Sequence, residues 1–185
     1  MDRARRRGGI WLFSAAGLVF LADRLTKAWA VQRLPGDPIE VIPGVLTFRF
    51  ATNPGGAFSL GQDAPWFFAT VTIVVSALIV ATAFRHTDVV TALGLGLVLG
   101  GALGNLTDRF TRGEGFFTGH VVDFIDPHIW PVFNLADSAI VMGAVILAVR
   151  SFVGERHASP GPPASTDDHG TATAGSAGEP AIDER

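Results

Sequence analysis

Four long apolar runs dominate the sequence and limit the folds it can adopt more than any other feature. They occupy residues 10–31, 65–84, 89–107 and 132–149, and the second run has no charged residue. Each is close to the roughly 20 residues that a helix needs to cross about 30 Å of hydrocarbon. Backbone polar groups inside a bilayer must be paired within the segment, which favours helices. We therefore expect an α-helical integral membrane protein with four transmembrane helices.

The arginines predict how these helices are oriented. A basic segment precedes the first run, as in a signal peptide, but no small-residue cleavage site follows and further apolar runs come after it. We therefore interpret the first run as an uncleaved helix. Loops on the cytoplasmic side are enriched in Lys and Arg, so we expect a multi-pass protein with both termini in the cytoplasm. The supporting residues are Arg3, Arg5, Arg6, Arg7, Arg85 and Arg150.

The segment between the first two runs has the pattern of a small β-hairpin. Leu46, Phe48 and Phe50 alternate with less apolar residues, which is typical of a strand with one apolar face. The Pro43-Gly44 pair before them favours a type II turn. We expect a small extracytoplasmic β-hairpin or cradle over about 38–62, lying against the membrane surface. A glycine-rich loop at 110–119 should lie on the same side, where it could form a lid.

Composition excludes several kinds of chemistry. The chain has no Cys, so disulfides, thiol catalysis and Cys-based metal sites are excluded. The formal net charge is -3, and no basic patch suggests nucleic acid binding. Residues 154–185 hold six acids, two arginines and a single large aliphatic residue. We therefore expect a membrane domain at 1–153 followed by a disordered acidic cytoplasmic tail.

Polar side chains in or beside the apolar runs are the main functional signal. Such groups are costly in a membrane and usually mark functional sites. In the predicted topology they all lie near the outer interface, whereas ordinary interfacial charges would occupy both sides. These residues are Asp23, Asn53, Asn105, Asp108, Arg109, Asp123, Asn134 and Asp137.

Simpler explanations exist for some of these residues. Asp23 and Lys27 are four residues apart and can form an interfacial ion pair, with Lys27 reaching the headgroups. Alternatively, the pair supports polar groups on a neighbouring helix. Asp108 can be an ordinary charge at a helix end, and Asn53 can belong only to a turn.

Asp123 and Asp137 suggest a specific chemistry. If the fold brings two carboxylates together, they share one proton. The ionised carboxylate can then take a proton from a water that attacks an amide, while the protonated one hydrogen-bonds the carbonyl oxygen. This is the arrangement of an aspartic protease dyad. It requires no metal and no cofactor.

Three alternatives compete with the dyad. Asp123 and Asp137 could bind a divalent metal with His120 or His128, but these histidines lack helical metal-site spacing. Buried acids could also serve a proton-coupled transporter, although four spans without an evident repeat argue against it. A purely structural membrane protein would need no such polar cluster.

Five motifs in order resemble those of the bacterial lipoprotein signal peptidase (signal peptidase II) family, which are membrane aspartic proteases. They are DRLTK at 23–27, NPGGAFS at 53–59, GGALGNLTDR at 100–109, VVDFID at 121–126 and FNLADS at 133–138. The resemblance covers roughly residues 10–153. It implies four transmembrane helices, an extracytoplasmic β-cradle and a loop flanking the site. It also implies a location in the bacterial cytoplasmic membrane with the active site near the outer face.

The resemblance further implies a substrate and roles for particular residues. The family removes signal peptides from prolipoproteins, cutting before a diacylglyceryl-modified cysteine, and is inhibited by the cyclic peptide globomycin. We expect the protein to be a monomer. The turn Pro54-Gly55-Gly56 departs from the residues that are common in the family. The catalytic dyad would be Asp123 and Asp137, and the residues supporting the site or contacting substrate would be Asp23, Lys27, Asn53, Gly101, Asn105, Asp108, Arg109 and Asn134.

Overall fold

The computed structural model describes residues 3–55, 65–85, 88–113 and 119–157, and within this part of the chain it contains four helices and three strands. Three helices are long and apolar enough to cross a membrane, whereas the apolar part of α2 is shorter, at Trp66–Thr82. The predicted α-helical membrane fold with a small sheet is therefore confirmed. In chain order the elements are α1 Arg3–Arg33, β1 Ile39–Ile42, β2 Leu46–Asn53, α2 Pro65–Thr82, α3 Val89–Thr111, β3 Val121–Asp126 and α4 Leu135–His157.

Several helices extend beyond their apolar runs. α1 already includes the basic residues from Arg3 onward, and α3 continues through Phe110 to Thr111, where a loop was predicted to begin. α4 runs to His157, past the predicted start of the tail. The remaining residues of the predicted tail, 158–185, and residues 114–118 of the predicted loop lie outside the described residues, as does the end of the predicted cradle.

Glycines allow α3 to lie directly against its neighbours. A Cβ on Gly96 would collide with the Leu12 carbonyl of α1, and a Cβ on Gly100 with the Ala16 carbonyl. The predicted close approach of another helix at these glycines is confirmed. Because residues 12 and 16 of α1 meet residues 96 and 100 of α3 in the same order, α1 and α3 run parallel. Gly143 of α4 lies against Gly94, and Ala136 lies against Gly101, so α4 runs the opposite way.

The sheet is antiparallel, with the order β1-β2-β3. Gly44 has a φ of 69° and the Val45 amide donates to the Ile42 carbonyl at 2.9 Å, as expected for the predicted turn between β1 and β2. β3 then pairs with β2, a contact that the sequence did not predict, and it brings Asp123 opposite Ala51. The sheet packs on the end of α1 through an apolar cluster containing Ala30, Leu34, Val122 and Phe124.

Candidate active site

One connected polar cluster contains most of the residues selected from the sequence. It is built from the C-terminal halves of α1 and α3, from β3 and from the first turn of α4. The parallel course of α1 and α3 and the reversed course of α4 bring these segments to the same end of the helices. The side chains that it joins are Asp23, Lys27, Asn105, Asp108, Asp123, Asn134 and Asp137.

Asn134 and Asp137 begin α4 with a reciprocal pair of hydrogen bonds. The Asp137 amide donates to Asn134 Oδ1 at 3.0 Å, and the Asn134 amide donates to Asp137 Oδ2 at 3.1 Å. This is a capping box, in which the residue before the helix and the third helical residue satisfy each other's backbone. Capping also explains why α4 begins at Leu135 rather than at residue 132. The Asp137 carboxylate is thereby held in place, yet its side chain is only half-buried.

The side chain of Asn134 connects this helix start to Asp123. Its Nδ2 donates to Asp123 Oδ1 at 2.7 Å and to Asn105 Oδ1 at 3.2 Å. Asp123 itself is 3% exposed. Burial, followed by the charge of Asp137, raises the pKa of Asp123 to about 7, against the opposing effect of hydrogen bonds from Asn134 and Asn53. The Asp123 carboxyl group therefore keeps its proton to a higher pH than an exposed aspartate does.

Lys27 determines the orientation of the Asn105 amide. The Lys27 ammonium is fully buried and donates to Asn105 Oδ1 at 2.8 Å. Because an ammonium has no acceptor, the Asn105 oxygen must face Lys27 and its NH₂ must point away. That NH₂ donates to Asp137 Oδ1 at 2.8 Å. Lys27 therefore determines that the Asn105 side chain presents a donor to the Asp137 carboxylate.

Lys27 also holds two further carboxylates. Its Nζ lies 2.9 Å from Asp23 Oδ2 and 3.0 Å from Asp108 Oδ2. Because both members of the Asp23–Lys27 pair are fully buried, the explanation in which Lys27 reaches the headgroups is wrong. Asp23 Oδ1 in addition accepts from the Ala136 amide of α4 at 3.1 Å. The pair thus supports a neighbouring helix, as the alternative explanation proposed.

Asp108 is not an ordinary charge at a helix end, since its side chain is fully buried. Arg24 lies 2.6 Å from Asp108 Oδ1 and Arg112 lies 2.7 Å from it. The Val122 amide, next to Asp123, donates to Asp108 Oδ2 at 3.3 Å. Asp108 therefore ties α1 and α3 to the strand that carries Asp123.

The sequence did not single out Arg24 or Arg112. The spacing of Arg112, four residues after Asp108, was the available signal for one of these contacts. Arg24 had no comparable signal, because its partner lies 84 residues away in the chain.

Arg109 and Asn53 shape the turn that follows β2. The Arg109 guanidinium donates to the carbonyls of Pro54 and Gly55 and lies 5.9 Å from the centre of the Phe68 ring. Asn53 Oδ1 accepts from the Gly55 amide at 3.0 Å. A turn role for Asn53 is thus present together with its hydrogen bond to Asp123.

Gly101 allows α4 to reach the cluster. A Cβ at this position would collide with the carbonyl oxygen of Ala136, one residue before Asp137. The glycine therefore determines how closely the start of α4 approaches α3.

The histidines considered as metal ligands lie elsewhere. His128 Nε2 is 2.9 Å from Thr47 Oγ1, near the opposite end of β3 from the Asn53–Val121 pair. His120 is exposed. Within residues 3–55, 65–85, 88–113 and 119–157, no group of three His, Asp or Glu side chains is arranged to hold a metal ion.

Comparisons with known proteins show which family this chain resembles. The profile of the family described as signal peptidase II matches residues 15–153. A protein of Rhodococcus jostii named lipoprotein signal peptidase is 46% identical over 144 residues, which cover 77% of this chain and 73% of the relative. A protein of the same name from Mycobacterium bovis (strain BCG) is 41% identical over 158 residues, covering 80% and 77%.

Two solved structures are also similar to this chain. One, described as a bacterial membrane enzyme at 2.3 Å resolution, has a TM-score of 0.72 and 28% identity, and the match covers 82% of this chain and 93% of that one. A second, at 1.9 Å, has a TM-score of 0.65 and 30% identity, with coverages of 76% and 91%. On the family profile and the identity to these relatives, the chain belongs to the signal peptidase II family.

Proposed function

We infer that this chain is an aspartic endopeptidase that removes signal peptides from lipid-modified prolipoproteins, and we propose that Asp123 and Asp137 perform the chemistry. The family and the names of its relatives support the activity. The observation that carries the residue assignment is the position of Asn134, which hydrogen-bonds both carboxylates. A dyad needs two acids close enough to share a proton. One residue supports this closeness, because the Asn134 side chain donates to the Asp123 carboxylate and its backbone amide donates to the Asp137 carboxylate.

In the proposed reaction, water is the nucleophile. The ionised carboxylate takes a proton from water as the water oxygen bonds to the carbonyl carbon of the scissile peptide. The protonated carboxyl group gives its proton to the carbonyl oxygen, which forms a tetrahedral intermediate. When the C–N bond breaks, the leaving nitrogen takes a proton from the dyad. The products are a signal peptide with a new carboxylate and a lipoprotein with a free amino group on its cysteine.

We propose that Asp137 is the base and that Asp123 carries the proton. Donors from Asn105 Nδ2 and the Asn134 amide, together with the start of α4, stabilise negative charge on Asp137. Asp137 is also the more exposed of the two and hence the more accessible to water. Asp123 is buried, and its raised pKa of about 7 favours the protonated form below that pH.

The other selected residues act as supports in this proposal. Lys27 and Asn105 orient the donors that face the dyad, and Asp23 and Asp108 hold Lys27. Arg109 and Asn53 hold the turn after β2, and Gly101 admits the start of α4. We propose that substrate contacts Asn53 and Arg109 from the side of that turn.

We further propose that cleavage occurs on the N-terminal side of the diacylglyceryl-cysteine, at the outer interface of the cytoplasmic membrane. The lipid anchor keeps the substrate in the bilayer, so its scissile bond must be reached from the interface. Arg3, Arg5, Arg6, Arg7 and Arg85 lie at the helix ends opposite the cluster, which supports cytoplasmic termini. Globomycin-type inhibitors should bind at the dyad, and the working unit should be the monomer.

The test is a gel-shift cleavage assay. The purified full-length protein in detergent and lipid is mixed with a diacylglyceryl-modified prolipoprotein, with and without a chelator. Wild type, Asp123→Asn and Asp137→Asn are compared. We expect wild type to cleave equally well with the chelator and each variant to be inactive while retaining its thermal transition.

Other outcomes would redirect the assignment. Normal cleavage by either variant would remove that residue from the dyad. Loss of wild-type cleavage in chelator, restored by a divalent ion, would favour metal chemistry. Inactivity of the wild type on a lipidated substrate would contradict the peptidase function itself.

A further inference from the structure

An apolar groove of about 420 Å³ lies between the start of α1 and the end of α2, away from the carboxylate cluster. It is formed where the Phe84 ring rests on the backbone of α1, since a Cβ on Gly9 would collide with that ring. The rings of Phe13 and Phe84 lie 6.0 Å apart, centre to centre. Ile10 is 64% exposed. The groove, which is completed by Ser14, is therefore a shallow, open depression with mostly apolar walls.

Two arginines lie within one helical turn, along the chain, of residues that line this groove. Arg6 precedes Ile10 by four residues and Phe13 by seven, so it is on the same face of α1. Arg85 directly follows Phe84, and its amide donates to the Thr82 carbonyl at 2.8 Å, which keeps it at the end of α2. Both arginines are exposed.

These two positive charges are not used by the fold as the structure describes it. None of the ion pairs between described residues involves Arg6 or Arg85. Among the described residues, the acid nearest to Arg85 in sequence is Asp88, and Asp88 is paired with Arg150 at 3.1 Å. An apolar groove with unused positive charge close by along the chain complements a molecule that has an anionic head and a hydrocarbon tail.

We propose that this groove binds one anionic phospholipid, with the phosphate between Arg6 and Arg85 and an acyl chain along Phe13 and Phe84. Basic pockets between membrane helices bind anionic headgroups in this manner. The site is separate from the carboxylate cluster, because Gly9 and Asp23 are about 21 Å apart along α1 at 1.5 Å per residue. The proposal therefore does not depend on the proposed peptidase mechanism.

Helical spacing provides a matched control. Arg5 is exposed, like Arg6, and is one residue away, but the turn of the helix places it on a different face from Ile10 and Phe13. Arg5→Gln and Arg6→Gln change the net charge equally, so only a bound headgroup at the groove distinguishes them. Ser14→Trp tests the other half of the site, because a large ring at this exposed position would fill the groove.

The experiment is native mass spectrometry of the full-length protein in a neutral detergent, titrated with phosphatidylglycerol or with phosphatidylcholine of the same chain length. We expect one phosphatidylglycerol to bind in preference to phosphatidylcholine. Arg6→Gln should weaken this binding about fivefold, the effect expected for one cation near an anionic lipid. Arg5→Gln should have no effect, and Ser14→Trp should abolish the bound species.

Thermal unfolding provides a second measurement. Phosphatidylglycerol should raise the Tm of wild type and of Arg5→Gln, whereas inorganic phosphate should not, because it has no acyl chain. Equal weakening by Arg5→Gln and Arg6→Gln would overturn the proposal in favour of diffuse attraction. Equal binding of both lipids, or protection by phosphate alone, would also overturn it. Cleavage of substrate in neutral detergent should be the same for wild type and Arg6→Gln.

Discussion

The two ends of the helical bundle carry charge in opposite ways. At one end, Asp23, Lys27 and Asp108 are fully buried and each has a partner within 3.0 Å. At the other end, the arginines at the start of α1 are exposed. A buried charge is tolerated only when it is paired and hydrogen-bonded, so the first arrangement demands an exact geometry and the second does not. Substitutions at the first end should therefore have large effects, and those at the second small ones.

The largest expected effect is that of Asp123→Asn on cleavage. An amide cannot give up a proton to a reacting group, so the rate should fall on the order of a thousandfold or more, as for other groups that act as a catalytic unit. The rate of signal peptide removal from a lipidated substrate measures this loss. A residual rate within tenfold of wild type would contradict the dyad.

The same variant, Asp123→Asn, should be at least as stable as wild type, although its cleavage rate falls. The folded-state pKa of Asp123, about 7, lies above the ordinary aspartate value of 3.8. Below 3.8 the group is protonated whether the chain is folded or unfolded, and the cost of burying its charge grows as pH rises from there and is complete above about 7. Asp123→Asn, which has no such charge, should have a Tm at pH 8 equal to or above that of wild type.

Lys27→Met should produce the next largest effect, and its control compares a buried ion pair with an exposed pair of the same sequence spacing. It leaves Asp23 and Asp108 buried without their shared cation, which should cost about 3–5 kcal/mol. The control, Arg33→Met, breaks the Arg33–Asp37 pair, which has the same spacing of four residues but is exposed, and should cost about 0–1 kcal/mol. Thermal or denaturant unfolding in detergent compares the two. Equal losses of stability in the two variants would mean that burial does not make the Lys27 ion pairs more important than the exposed Arg33–Asp37 pair.

Gly101→Ala should have an intermediate effect. The added Cβ meets the Ala136 carbonyl, so α4 must shift at the residue before Asp137, at a cost of about 1–3 kcal/mol. Gly17→Ala is the matched control, because a Cβ there meets nothing within 4 Å. In an exposed helix position this control should be neutral or stabilising by up to about 1 kcal/mol. Cleavage should decrease only in the first variant, and an unchanged rate there would show that the approach of α4 tolerates the extra methyl group.

The pH dependence of cleavage should be the smallest effect near neutrality. If Asp123 must be protonated, activity is present below a pH of about 7 and falls about tenfold for each unit above it. The positive charge of Lys27 is one of the influences that lower the pKa of Asp123. Any folded fraction of Lys27→Met should therefore show its alkaline decline at a higher pH. A decline at the same pH as wild type would mean that another group controls it.

Site residues could be predicted from the sequence where a short pattern marked them, but not where their role depends on contacts between distant segments. Asp123, Asp137 and their neighbouring amides stood out because polar groups are rare within apolar runs. The burial of Lys27 could not be predicted, because the same spacing from an acid also occurs in the exposed Arg33–Asp37 pair. The contacts of Arg24 and Arg112 with Asp108 depend on how α1 meets α3, which no short sequence pattern encodes.

The sequence by itself determined the membrane class, the number of helices and the β1–β2 turn, and it singled out Asp123 and Asp137 as candidates. These depend on run length, helical spacing and the Pro-Gly turn, which act over a few residues. Only the tertiary structure decided that β3 joins the sheet, that Asn134 hydrogen-bonds both carboxylates, and that Lys27 orients the Asn105 amide. These features require segments far apart in the chain to meet at hydrogen-bond distance, and that geometry comes from the packing of helices at their glycines rather than from any local pattern.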